Sequence, residues 1–266
     1  MIRVRTEGRV TVITIDRESA RNAVDPETAT ALYRAVLDFD ADEAADVAVL
    51  TGAGGSFCAG FDLKAAAGGL DDAWRARHAI PEGWADPVAE PLPSPMGPAR
   101  LMPGKPVIAA IEGAAVAGGM ELAMWCDLRI MAEGAFMGVF CRRWGVPLID
   151  GGTFRLPRLV GDGRARDLIL SGRRLEAEEA REIGLADRLV GRGRALDAAL
   201  EYASDLLRFP QPCLRADLIA ARPAPAALAA ALRREWRGAQ DLLDAASKGA
   251  GRFADGHGRG GDFGDI

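Results

Sequence analysis

Histidine, tyrosine and lysine are scarce in these 266 residues, at two, two and three copies; the lysines are Lys64, Lys105 and Lys248, so arginine supplies 30 of the 33 Lys and Arg residues. Two histidines, His78 and His257, are too few for a His-rich metal site, and no metal is expected. The four cysteines (Cys58, Cys126, Cys141 and Cys213) show no CxxC spacing. Each falls in an apolar stretch, as expected of reduced intracellular thiols rather than a disulfide framework. No apolar run reaches the roughly 20 residues that a membrane-spanning helix needs. The opening MIRVRTEGRV leads straight into a strand without a signal-peptide pattern, so the expected location is the cytoplasm. A net charge of −5 and a pI near 5.3, with no basic stripe carrying interleaved aromatics, argue against a nucleic-acid partner. There is no P-loop, and GAGGSF lacks the GxGxxG spacing of a dinucleotide fold. No fixed-period repeat is visible.

What is present is 49% apolar residues, enough for one large core or a core with a small appendage. Val10 to Ile15 alternates as a strand after a turn at Arg5 to Gly8. Asp25-Pro26-Glu27 has the form of an N-cap with proline in the first turn, opening a helix to about Phe39, and Val47 to Leu50 returns as a strand. This β-then-α alternation suits a parallel-rich sheet with crossover helices. Residues 65 to 103 are rich in Ala, Gly and Pro and read as a long irregular segment, either a functional loop or a disordered one. From Gly163 helices take over. Leu196, Leu200, Ala203 and Leu207 recur at helical spacing, and Leu228, Leu232, Trp236, Leu242 and Leu243 predict one long amphipathic helix near the end. The tail from Gly249 is glycine-rich.

The stretch Lys105 to Asp127, KPVIAAIEGAAVAGGMELAMWCD, carries the chemistry. Val107 to Ile111 reads as a buried strand and Met120 to Trp125 as a buried helix, which puts the lone acid Glu121 near a helix N-terminus. Burial raises its pKa while the helix dipole and nearby N–H groups favour the anion, so it can be poised for proton exchange. Capping of the helix is the other role open to it. Gly118, without a Cβ, lets a ligand approach an N–H aimed at a developing negative oxygen. Upstream, Ala48 to Lys64 reads AVLTGAGGSFCAGFDLK.

Together these segments resemble the crotonase superfamily, the enoyl-CoA hydratases and isomerases, whose pattern is LTGxGxxFCAGxDL followed by KPxIAAxxGxxxGGGxELAxxCD. Further similarities lie in order: Arg21-Asn22-Ala23, Gly151-Gly152-Thr153 with Arg155-Leu156, and LEAEEAREIGLAD from Leu175 to Asp187. The resemblance implies a crotonase-like α/β spiral of repeated ββα units in residues 1–195. It assigns residues 196–266 to a C-terminal helical oligomerisation region that builds a homotrimer or homohexamer. It also implies an acyl thioester of coenzyme A as substrate, no tightly bound cofactor, and two backbone donors for the thioester enolate. By position these are the N–H groups of Phe61 and Gly118, although Phe61 also reads as a core aromatic. Arg21, Ala23, Ala59, Asp62, Leu63 and Lys64 would lie along the coenzyme; Lys64 reads equally as a solvated residue at a helix start.

A hydratase of this family uses two glutamates. Glu121 matches one, and Cys141 stands where the second belongs; as a catalytic candidate its thiol can relay a proton, though it is a poor match for carboxylate chemistry and reads more readily as a small buried residue. Asp150 is the next acid, either catalytic or capping the helix after Gly151-Gly152. Arg142 and Arg143 could meet a second acyl carboxylate or lie on the surface. Trp74, Trp84 and Met96 of the long loop are placed over the acyl pocket. The leading expectation is a hydratase-type reaction through a stabilised enolate. Its competitors are double-bond isomerisation with Glu121 as base, decarboxylation, thioester hydrolysis, and a coenzyme A binder without catalysis.

Overall fold

A computed structural model describes residues 1–68 and 71–258. A hairpin, β1 (Ile2–Glu7) and β2 (Val10–Ile15), opens the chain, with its turn at Gly8-Arg9 rather than at Arg5 to Gly8. Four further strands extend the sheet in parallel: β3 (Val47–Gly52), β4 (Val107–Ile111), β6 (Leu128–Ala132) and β9 (Arg188–Val190), giving the order β1-β2-β3-β4-β6-β9. A second, small sheet joins β5 (Ala114–Val116), β7 (Phe136–Gly138) and β8 (Leu175–Glu176). The two- and three-residue strands are too short to show a periodicity of two, and the sequence does not announce them.

The helices are α1 (Pro26–Ala41), α2 (Leu63–Ala67), α3 (Asp72–His78), α4 (Gly118–Trp125), α5 (Gly152–Val160), α6 (Asp162–Ser171), α7 (Ala177–Glu182), α8 (Ala195–Leu206), α9 (Gln211–Ala221), α10 (Pro225–Gln240) and α11 (Leu243–Ala254). Asp25 caps α1 as expected, its Oδ1 accepting from the Thr28 N–H at 2.8 Å. At the other end, buried Lys105 donates to the carbonyls of Phe39 and Asp42 at 3.0 and 2.7 Å, satisfying helix-end acceptors. The core lies on both faces of the large sheet. Ile13, Ile15, Leu50 and Ile111 pack with α1 and α4, while Val10, Val12, Val49 and Ile108 receive Ala195, Ala199 and Ala203 of α8.

The expected long C-terminal helix is two helices. Asp241 and Leu242 separate α10 from α11, and the unbroken apolar pattern across Leu242-Leu243 hides the break. Part of the glycine-rich tail, 259–266, lies outside the described residues. No helix among the described residues is long and apolar enough to cross a membrane. All four cysteines are free. Three are buried but Cys213 is exposed on α9, against the expectation of an apolar setting for each.

Candidate active site

A cleft opens between the core and the C-terminal helices. Its floor is built by two chain crossings. The loop after β3 runs beside β5, with the Cys58 N–H donating to Ala114 O at 2.9 Å and the Val116 N–H to Cys58 O at 3.0 Å. Beyond it, Phe61 bridges to Val24. Ala117 then takes φ +53°, ψ −125°, a conformation that glycine favours, and turns the chain into α4. Glycines make the approach possible: a Cβ on Gly119 would fall 2.1 Å from Cys58 O. Phe61 and Gly118 both line the cleft, and the backbone N–H of neither donates to a protein acceptor among the described residues.

Glu121, 3% exposed on the first turn of α4, and Asp150, 2% exposed, line the same cleft. Glu121 Oε1 accepts the N–H groups of Asp150 at 3.0 Å and Gly152 at 2.8 Å. Burial pushes its pKa well above the ordinary carboxylate value, reinforced by the negative charges of Asp150 and Glu235 and opposed by those two N–H bonds. Asp150 Oδ1 accepts from the Met96 N–H at 3.0 Å. Burial raises its pKa as well, held back by the bonds from Ser94 and Met96 and by Arg100. It does not cap α5, because its side chain faces the loop at Met96 and the cap position belongs to Gly151.

Cys141 also lines the cleft, but burial, aided by the charge of Glu121, pushes its thiol up to about 12. It is therefore a neutral S–H at physiological pH, unable to serve as a base. Ala59 and Leu63 contribute to the wall; Arg21, Ala23, Asp62 and Lys64 lie outside it. Asp62 is engaged in structure, capping α2 through the Lys64 N–H at 3.0 Å and accepting from Arg17 at 3.0 Å. Asn22, fully buried, pins its segment to the next loop by donating to Ala53 O and Ser56 O at 2.8 and 2.7 Å. Arg142 donates to Ile169 O and Arg143 lies over the Phe140 ring, and neither lines the cleft. Trp74 and Met96 do line it, whereas Trp84 packs away from it against Leu228, Ala229 and Leu232 of α10.

Two features escape a reading of the sequence. α11 closes the cleft with Leu243 and Ala246, and Glu235 of α10 reaches the start of α5. Glu235 falls at i+7 from Leu228 on the buried face that Leu232 and Ala239 continue, so a carboxylate on an apolar stripe was its one signal.

A model of the family described as enoyl-CoA hydratase/isomerase matches residues 5–255, nearly the whole of this chain. The chain belongs to the enoyl-CoA hydratase/isomerase family. A probable enoyl-CoA hydratase of Rhizobium meliloti is 40% identical over 243 residues, covering 90% of this chain and 88% of its own. A carnitinyl-CoA dehydratase of Salmonella arizonae is 38% identical over 209 residues, 78% of this chain and 74% of its own. Among solved structures, a carnitinyl-CoA hydratase from Mycobacterium avium superposes with a TM-score of 0.81 at 31% identity, covering 96% of this chain and 95% of that one. The crotonase-like α/β fold implied by the motifs is thus the fold of this family member.

Proposed function

We propose that this protein catalyses the reversible addition of water to a 2-enoyl thioester of coenzyme A. The thioester oxygen sits against the N–H groups of Phe61 and Gly118, Glu121 is the main acid/base, and Asp150 is the second carboxyl. The observation that carries the reading is that Phe61 and Gly118, whose amides donate to no acceptor among the described residues, line one apolar cleft together with two buried carboxyls. Polarisation by the amides lets electron density from the attacked β-carbon collect on the thioester oxygen as an enolate. Loss of one such donor typically costs about 3 kcal/mol of transition-state stabilisation. Addition of water needs one group to take a proton from water and one to give a proton to the α-carbon. Two coupled carboxyls holding one proton between them supply both. The carnitinyl-CoA and enoyl-CoA names of the relatives support this chemistry over the alternatives.

The coenzyme would enter along the segments around Arg21 to Ala23 and Ala59 to Lys64, where Lys64 is exposed. Residues 196–266 would serve assembly into a trimer or a pair of trimers. In support, α9 has no buried residue, and Ile219 on it is 57% exposed.

Mass spectrometry after incubation with 2-enoyl-CoA and 3-enoyl-CoA in deuterated water tests the reaction. A product of the 2-enoyl substrate heavier by one deuterated water is the expected result. Double-bond migration without added water would make the protein an isomerase, and inertness toward both substrates would overturn the proposal.

A further inference from the structure

The first turn of α5 divides its N–H groups between two acids. Those of Asp150 and Gly152 go to Glu121 Oε1 at 3.0 and 2.8 Å. Those of Gly151 and Thr153 go to Glu235 Oε2 and Oε1 at 2.7 and 2.9 Å, with the Thr153 hydroxyl adding a third bond to Oε1 at 2.7 Å. Alternate amides therefore point to opposite sides of the turn, and Gly151 at φ +91° is the residue that lets them. Among the described residues no protein donor reaches Glu121 Oε2, which leaves that oxygen to the cleft.

Glu235 itself does not line the cleft. It lies 9% exposed on α10, more than a hundred residues after Glu121 in the chain. Remove its acceptors and the buried Gly151 N–H loses its partner; a turn that rotates to satisfy that donor carries the Asp150 and Gly152 amides away from Glu121. We propose that Glu235 is a positioning residue for Glu121: it locks the 150–153 turn so that two amides stay on Oε1 and Oε2 is presented to substrate.

Charged and titratable groups around the pair come from four elements. Asp150 stands in the turn, Arg155 on α5, Arg100 in the loop before β4, and Cys141 in the short helical turn Phe140–Trp144. Arg155 braces the same turn from the other side, donating to Asp150 O at 2.8 Å and Ala99 O at 2.6 Å.

The proposal rests on Glu121 being the acid/base, and the test separates the two. Single-turnover hydration of 2-enoyl-CoA, KM and the thermal midpoint are measured for Glu235→Gln, Glu121→Gln and the double variant. Glutamine keeps an oxygen for Thr153 but turns an NH2 toward the Gly151 N–H. The expected result is a rate lowered by about 30-fold with KM changed less than about twofold, and a further loss below about twofold when Glu121 is already Gln. Losses that multiply independently, or a fall confined to KM, would overturn the positioning role. If Glu121→Gln alone leaves the rate intact, it is the assignment of Glu121 that fails. Thr153→Val, which deletes only the hydroxyl donor, carries the same prediction at smaller size should the Gln variant fail to fold.

Discussion

At the scale of single residues, the cleft gathers buried ionisable groups, Glu121, Asp150 and Cys141. Because burial raises the Glu121 pKa above its unfolded value, the ionised form is disfavoured in the fold. The parent therefore loses stability as pH rises from the unfolded carboxylate range through the folded pKa. Glu121→Gln should remove that loss while keeping an acceptor for both amides. Its thermal midpoint is expected to exceed the parent's at pH 8 and to converge with it near pH 4. Calorimetry across that range checks the sign, and turnover of the same variant should fall by about 10²–10⁴-fold. Asp150→Asn removes the foremost of the negative charges that hold the Glu121 pKa up. The limb of the kcat profile that reports Glu121 should then move to lower pH, and an unmoved limb would deny the coupling. Glu121 and Asp150 were legible beforehand, since a lone acid among apolar residues and an acid before a glycine pair both stand out. Glu235 was not, because its neighbours Arg233, Arg234 and Arg237 give it the look of a surface ion-pair partner.

Among the elements, those with a long apolar run or a capping signal were readable: β3 and β4 from their apolar residues, α1 from Asp25-Pro26, α4 from its buried pattern. Elements that depend on tertiary partners were not. β5, β7, β8 and β9 exist only by pairing with one another or with β6, and α11 is set off from α10 by how it meets the cleft. That meeting is close: a Cβ on Gly249 would fall 1.8 Å from Trp144 O, so α11 lies against backbone with no room for a side chain. The Trp144 and Phe253 rings, 5.3 Å apart and edge to face, complete the contact. Gly249→Ala must therefore lift α11 and with it Leu243 and Ala246 from the wall. KM for the acyl thioester should rise about tenfold while kcat stays within about threefold, since the amides and Glu121 sit on the core. A variant with an unchanged KM would show that α11 does not shape the substrate site.

At the scale of the whole molecule, the chain folds its sheet and α4 into a rigid support and lays its later helices across it. α8 already belongs to the core, covering one face of the sheet. α9 has no buried residue, and its Ile219 is 57% exposed. A trimer or hexamer would explain that surface, and sedimentation equilibrium should give a mass of three or six times 28.1 kDa. A mass of one chain would leave α9 to some other partner. The placement of Glu235 and α11 has a consequence for synthesis. Phe61, Gly118 and Glu121 emerge from the ribosome early, but the acceptor that orders the turn at Gly151 and the last wall of the cleft are made near the end. An unfinished chain would carry Phe61, Gly118, Glu121 and Asp150 and still lack both the Glu235 acceptor and the α11 wall. On the proposed roles of Glu121 and Glu235, competence would arrive only with the final helices, and activity would itself report that translation had passed α11.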